Sequence, residues 1–132
     1  MQLTPELHQL AITVTATALM WVPYIGARLL THGPARALGP DPTLLADPIW
    51  AQRARRAHAN AVESLAVFAP LVVIAALIGV STPATVLASK VYLAARVAHY
   101  VVYAAGVPVV RTLAFAFGVG ATLVFAAAVL VR

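Results

Sequence analysis

The chain has 132 residues, of which 62% are hydrophobic and 10% are charged. An ordinary soluble domain is roughly 45–50% apolar and about 25% charged, so this composition excludes a water-soluble globular surface. The formal net charge is +5, but the basic residues are few and stand beside or inside apolar segments, which argues against nucleic-acid binding. The sequence contains no cysteine, which excludes a disulfide framework and a cysteine nucleophile. We also expect no metal site.

The first predicted helix begins at Pro5 and ends at about Leu30. Thr4, Pro5 and Glu6 form a favourable helix start, with a hydroxyl cap, a proline in the first turn and an acidic side chain at the positive end of the helix dipole. The N-terminal residues lack the positive region of a secretory signal, so we expect a retained membrane helix. Residues 31–47 are polar and rich in proline, which predicts a loop.

Three further helices are predicted over residues 48–78, 83–105 and 108–131. Asp47-Pro48 and Thr82-Pro83 repeat the start signal, and Gly106 ends the third helix. The second helix would be ~46 Å long at 1.5 Å per residue, which exceeds a ~30 Å hydrocarbon core, and Pro70 is expected to bend it. The predicted fold class is all-α, a membrane four-helix bundle with up-down-up-down topology.

The basic residues predict how the bundle is oriented. Most of them flank the first and third loops, and positive residues favour the cytoplasmic side of a membrane. We therefore expect these two loops in the cytoplasm and both termini outside, as in a protein of the bacterial inner membrane. The residues on the predicted cytoplasmic side are Arg28, Arg36, Arg53, Arg55, Arg56 and Arg111.

Two of the predicted helices each carry one line of polar side chains. An ionised side chain near the middle of a membrane costs at least ~2.5 kcal/mol, so Glu63 and Arg96 must face a partner or a wet cavity. This pattern predicts a functional site, with the alternative that Glu63 pairs with an arginine to hold two helices together. His99 could bind a ligand or form a hydrogen bond between helices. The lines are Arg53, Arg56, Asn60 and Glu63 on the second helix, and Tyr92, Arg96, His99 and Tyr103 on the third.

The same residues carry a resemblance to a known family. The segment from Arg53 to Glu63 reads RARRAHANAVE, and the segment from Arg96 to Tyr103 reads RVAHYVVY and is followed by Pro108 and Arg111. These segments resemble the signatures of the MAPEG family, the membrane-associated proteins of eicosanoid and glutathione metabolism. The chain departs from the prostaglandin E synthases of that family at Ala59 and Phe115, where those enzymes have an arginine and a tyrosine.

The resemblance implies a homotrimer in the lipid bilayer, with glutathione as co-substrate between neighbouring subunits. It implies that Arg111 is the catalytic residue that stabilises the glutathione thiolate. The positive charge of such a pocket also suits glutathione physically, since the tripeptide is a net anion. The implied glutathione-binding residues are Arg28, Arg56, Asn60, Glu63, Arg96, His99 and Tyr103.

The leading hypothesis is therefore a glutathione transferase or peroxidase that acts on a lipophilic electrophile or hydroperoxide. The alternative is a non-catalytic membrane protein or a small transporter, in which the polar lines border a path or a subunit interface. Arg111 distinguishes the two, because a purely structural protein would tolerate its loss without losing the handling of a ligand.

Overall fold

The computed structural model describes residues 2–40 and 45–132. The described residues form helices and contain no strand, so the predicted all-α membrane bundle is confirmed. The part of the predicted first loop at 41–44, with Pro42, lies outside the described residues. The helices are α1 (Pro5–Leu19), α2 (Trp21–His32), α3 (Pro34–Ala37), α4 (Ile49–Leu77), α5 (Pro83–Ala105) and α6 (Pro108–Leu130).

The first membrane segment differs from its prediction, because it is divided into α1 and α2 at Met20 and it extends to His32. Pro23 accounts for the break: a proline has no N–H, so the carbonyl of Leu19 loses its helical donor. The Tyr100 hydroxyl donates a hydrogen bond of 2.8 Å to the Met20 carbonyl. A side chain of α5 thus supplies a hydrogen-bond donor to a backbone carbonyl at the break.

The predicted loop between the first two membrane segments contains the short helix α3, so its prediction as loop throughout was wrong. Gly33 precedes this helix with a φ of 83°, a conformation that glycine adopts without steric strain. Pro34 then occupies the first turn, where its missing N–H is not needed. The turn at Gly33 separates α2 from α3.

The other three helices begin and end within a residue or two of their predicted bounds, and α4 continues through Pro70. The predicted start signal holds for α5, where the Thr82 hydroxyl accepts from the backbone N–H of Thr85. It does not hold for α4, whose first residue follows Pro48 without a side-chain cap. The Asp47 carboxylate pairs with Arg28 instead.

Within residues 2–40 and 45–132, three segments are long and apolar enough to cross a membrane: Pro5–His32, Ile49–Leu77 and Pro108–Leu130. The remaining long helix, α5, is 23 residues long, as is α6, but it contains Lys90 and Arg96. At ~34 Å it also exceeds the ~30 Å hydrocarbon core. Because α5 packs against α1, α4 and α6, most of its polar side chains face other helices.

Aromatic packing and a row of alanines hold the bundle together. The ring of Tyr92 stacks on Phe68 with centroids 3.7 Å apart, and Phe125 meets Phe68 edge-on at 5.4 Å. These contacts join α4, α5 and α6. The N-terminal half of α4 turns a face of small residues inward, which lets α2 and α5 approach closely. That face consists of Ala51, Ala54, Ala57 and Ala61.

A buried carboxylate connects α1 to the start of α5. Glu6 is 3% exposed, and its carboxylate accepts hydrogen bonds from the hydroxyls of Ser81, at 2.9 Å and 3.1 Å, and Thr85, at 2.5 Å. The first turn of α5 also places its positive dipole end nearby, which favours a negative charge. This cluster fixes the N-terminal ends of α1 and α5 to each other.

We expect Glu6→Ala to lower the free energy of unfolding by about 1.5–3 kcal/mol, the value of hydrogen bonds to a charged group. Glu6→Gln keeps one acceptor and should lose less. Unfolding of the detergent-purified protein measures both variants, and His8→Ala on an exposed position of the same helix is the control. Equal stability of Glu6→Ala and His8→Ala would show that the cluster contributes nothing.

Candidate functional site

The polar line on α4 lies away from the centre of the bundle. At 100° per residue, Glu63 lies roughly opposite the buried Ala54 around the helix axis, and both Glu63 and Arg56 are exposed. Asn60 lies between them and is partly buried. The ion pairs of the described residues include neither Glu63 nor Arg56. The alternative in which Glu63 pairs with an arginine of its own chain is therefore wrong within residues 2–40 and 45–132.

The polar line on α5 points into the bundle and meets α4 at one hydrogen bond. Arg96 is 2% exposed, and its Nη2 donates to Asn60 Oδ1 at 2.6 Å. Among the described residues, Arg96 Nε and His99 Nδ1 have no hydrogen-bond partner although both atoms are buried. Tyr92 packs on Phe68 rather than joining this group. A buried, positively charged group thus relies on an amide oxygen for its partner.

Arg111 completes the group from the first turn of α6. Its guanidinium carbon lies 4.6 Å from the centre of the Tyr103 ring, which is a cation–π contact. His99 lies between two aromatic rings, 5.5 Å from Tyr103 and 6.3 Å from Phe115, measured between centroids. The guanidinium, the phenol and the imidazole are therefore neighbours.

The structure thus brings together five of the predicted site residues from three helices, and we call them the polar cluster. Two of the five carry a permanent positive charge, and none carries a negative one. Such a cluster favours an anion, because positive groups in a poorly solvated place lack a counter-charge. The members are Asn60, Arg96, His99, Tyr103 and Arg111.

Arg28 lies in a different group, at the end of the bundle that holds the first loop. Its guanidinium binds the Asp47 carboxylate through two nitrogens at 2.7–3.2 Å. A pocket of about 640 Å³ next to this ion pair is also lined by Gln52, Arg55 and Arg56. Arg28 and Arg56 therefore share this pocket, and Arg56 stands one helical turn from Asn60 of the polar cluster.

Sequence reasoning missed three polar contributors to that end of the molecule. Asp47 was interpreted as a helix start, and Tyr24 and His58 were not selected as partners of each other. The Tyr24 hydroxyl lies 2.7 Å from His58 Nδ1, and the guanidinium of Arg55 lies 4.6 Å from the centre of the Tyr24 ring. At 100° per residue, His58 lies on the side of α4 that carries the buried alanines and not on the predicted polar line, so helical periodicity did not indicate this group.

A long apolar groove between α5 and α6 contains no member of the polar cluster. It has a volume of about 610 Å³ and is lined by side chains such as Val91, Phe117 and Gly120. At 100° per residue, Gly120 lies opposite Arg111 around α6. This groove is therefore separated from the polar cluster by the body of α6, and its lining offers no ionisable group.

Comparison with known proteins gives a match that covers nearly the whole chain. The model of the MAPEG family matches residues 9–131. No curated protein and no solved structure matches the chain. The matched range includes every member of the polar cluster, together with Arg28, Arg56 and Glu63.

The ion pair of Arg28 with Asp47 predicts a pH-dependent stability. The hydrogen bond from Arg28 holds the pKa of the Asp47 carboxyl below its ordinary value of 3.8. A carboxyl whose pKa is lowered by folding stabilises the fold above its unfolded-state pKa, and this contribution is lost as the pH falls through the folded-state pKa. Asp47→Asn should therefore be less stable than the unchanged chain by about 1–3 kcal/mol at pH 7.

The difference in unfolding free energy between Asp47→Asn and the unchanged chain should shrink below roughly pH 4. Unfolding measured from pH 7 down to pH 3 tests this expectation. A difference that stays constant over that range would mean that the carboxylate charge at Asp47 does not stabilise the fold.

Proposed function

The chain belongs to the MAPEG family, and we propose that it is a membrane-bound glutathione transferase or peroxidase. The observation that carries this proposal is the polar cluster, in which the buried Arg96 and the partly buried Arg111 form no ion pair with a carboxylate of the described residues. Glutathione is a net anion whose thiol becomes a second anionic group when it ionises. A cluster of this charge suits the ionised form of that substrate best.

The proposed role of Arg111 is to stabilise the thiolate. A free thiol with a pKa near 8.5 is only a few per cent ionised at pH 7. Lowering that pKa by ~2 units requires about 2.7 kcal/mol of preferential stabilisation of the anion. One guanidinium in a poorly solvated site can supply this amount, and Arg111 is held in place by the Tyr103 ring.

The ionised sulfur then attacks a lipophilic substrate that arrives through the bilayer. With an electrophile, a sulfur–carbon bond forms and the leaving group departs with its electron pair. With a hydroperoxide, the sulfur takes the terminal oxygen, which gives an alcohol and glutathione sulfenic acid. A second glutathione converts that acid to glutathione disulfide and water.

The remaining predicted residues bind the tripeptide in this proposal. Arg56, Asn60 and Glu63 offer a cation, an amide and a carboxylate along one line of α4, and Arg28, Arg96, His99 and Tyr103 complete the site. Glu63 stands 14 residues from the start of α4, or ~21 Å along the helix. A charge exposed at that depth is costly in lipid.

We therefore propose a homotrimer in which a neighbouring subunit covers Arg56 and Glu63. In the proposed orientation, both termini lie outside and the pocket beside Arg28 opens to the cytoplasm, where glutathione would enter. The positive residues around the first and third loops support this orientation.

Arg111→Ala tests the catalytic role. It should lower kcat for conjugation of a chloronitrobenzene by about 100-fold, since one removed oxyanion donor has an effect of that order. It should also weaken the ultraviolet absorbance of the bound thiolate, while glutathione still binds. Arg36→Ala, an exposed arginine of α3, is the matched control for loss of charge. Full turnover and full thiolate absorbance in Arg111→Ala would exclude the role, and Tyr103, whose hydroxyl can donate to the sulfur, would become the first candidate to replace it.

Tyr103 variants separate the contribution of its ring from that of its hydroxyl. Tyr103→Phe keeps the ring on which Arg111 lies, whereas Tyr103→Leu removes it. Because a cation–π contact contributes about 0.5–2 kcal/mol, Tyr103→Leu should lower kcat by roughly 2- to 30-fold. Tyr103→Phe should remain near the unchanged rate. Equal losses in both variants would instead assign the effect to the hydroxyl, as a hydrogen-bond donor to the sulfur.

A further inference from the structure

The hydrogen bond between Arg96 and Asn60 determines which way the Asn60 amide faces. A guanidinium has donors and no acceptor, so only the Oδ1 atom of an asparagine can face it. Arg96 Nη2 lies 2.6 Å from Asn60 Oδ1. The Nδ2 group of Asn60 is therefore turned away from Arg96. Asn60 is partly exposed, so this amide can reach a ligand.

Arg96 itself is enclosed by the protein. Its side chain is 2% exposed and lies against the backbone of α6, where a Cβ added to Gly118 would stand 3.6 Å from Arg96 Cδ. A group this enclosed is poorly placed to touch a ligand that binds along the exposed line of α4. Its Nη2 contacts the partly exposed Asn60, so Arg96 can act on such a ligand through Asn60.

We infer that Arg96 is a positioning residue, which fixes Asn60 as a hydrogen-bond donor toward the ligand. The inference rests on the proposed function and gives Asn60 a specific role, in which its Nδ2 group recognises a carbonyl or carboxylate oxygen of the peptide. In this arrangement Arg96 itself does not contact glutathione.

The bond matters because an asparagine amide can rotate by half a turn and exchange its donor and acceptor. A hydrogen bond from a charged group favours one of the two orientations by roughly 10- to 100-fold. Without Arg96, a fraction of the molecules would present Oδ1 to the acceptor of the ligand and repel it. Arg96 therefore removes this non-binding population.

Asn60→Asp is the decisive variant, since it keeps an acceptor for Arg96 and removes the amide donor, at the expense of one added negative charge. It supplies Arg96 with a charged partner, so the thermal midpoint of the ligand-free protein should not fall. The glutathione affinity should fall at least 10-fold, measured by calorimetry on the detergent-purified chain. Ala59→Asp is the control, because it adds the same charge at an exposed position next to Asn60 on α4 and should keep the affinity within about threefold.

A second variant tests the pair from its other side. In Arg96→Gln the glutamine amide can donate or accept, so it no longer determines which way the Asn60 amide faces. We expect a loss of glutathione affinity of roughly 2- to 10-fold if the variant folds. An Asn60→Asp protein that binds glutathione as tightly as the unchanged chain overturns the inference. So does a loss of equal size in Ala59→Asp, which would show that charge repulsion is responsible. Absence of glutathione binding by the unchanged chain would instead overturn the proposed function.

Discussion

The penalty for placing an ionised group in hydrocarbon determines how this bundle is arranged. Arg96 stands near the middle of α5, and a guanidinium cannot lose its charge at any ordinary pH. The side of α5 that carries Arg96 must therefore face protein. Once that side is turned inward, Tyr92 and His99 follow it, because they lie on the same side of the helix. The contact of Tyr92 with Phe68 and the bond from Arg96 to Asn60 both result from this single orientation.

The alanine face of α4 is the complementary feature. Ala54 and Ala57 are fully buried, and small side chains let neighbouring helices approach closely in a membrane, where apolar burial alone does not drive association. With this face inward, the polar line of α4 must lie at the side or outside. Asn60 sits at the boundary between the two faces, so it can meet Arg96 inside and still reach the surface. Glu63 lies beyond that boundary and remains exposed.

Polar contacts at the two ends of the bundle hold its helices in register. At one end, the Glu6 carboxylate is bound by hydroxyls of the second loop and of α5. At the other end, the ion pair of Arg28 with Asp47 joins α2 to the end of the first loop. Charged side chains are tolerable here because each is paired or hydrogen-bonded and lies near a helix end. The polar cluster differs from both groups, since its positive charges have no carboxylate partner within the described chain.

Much of the fold could be predicted from the sequence, because helices in lipid need long apolar segments and their ends follow local rules. The bounds of α4, α5 and α6 depend on prolines, on Gly106 and on apolar length, which are visible without any tertiary contact. The break at Met20 was also encoded locally, by Pro23, but the apolar run around that proline concealed it. The membership of Asn60, Arg96, His99, Tyr103 and Arg111 in one candidate site came from helical periodicity and from the family resemblance, and the structure places these residues together.

The partners of individual charges could be decided only by the tertiary structure. Periodicity shows that Glu63 and Asn60 share a side of α4, but a few tens of degrees of rotation determine which of them meets Arg96. That rotation is set by the packing of the alanine face against two other helices. Likewise, Arg28 and Asp47 are 19 residues apart across a loop that contains prolines and a short helix, so their pairing depends on how the chain closes that loop. The sequence by itself determined which groups must be shielded from lipid, since that follows from the chemistry of each side chain, whereas only packing determined which group shields which.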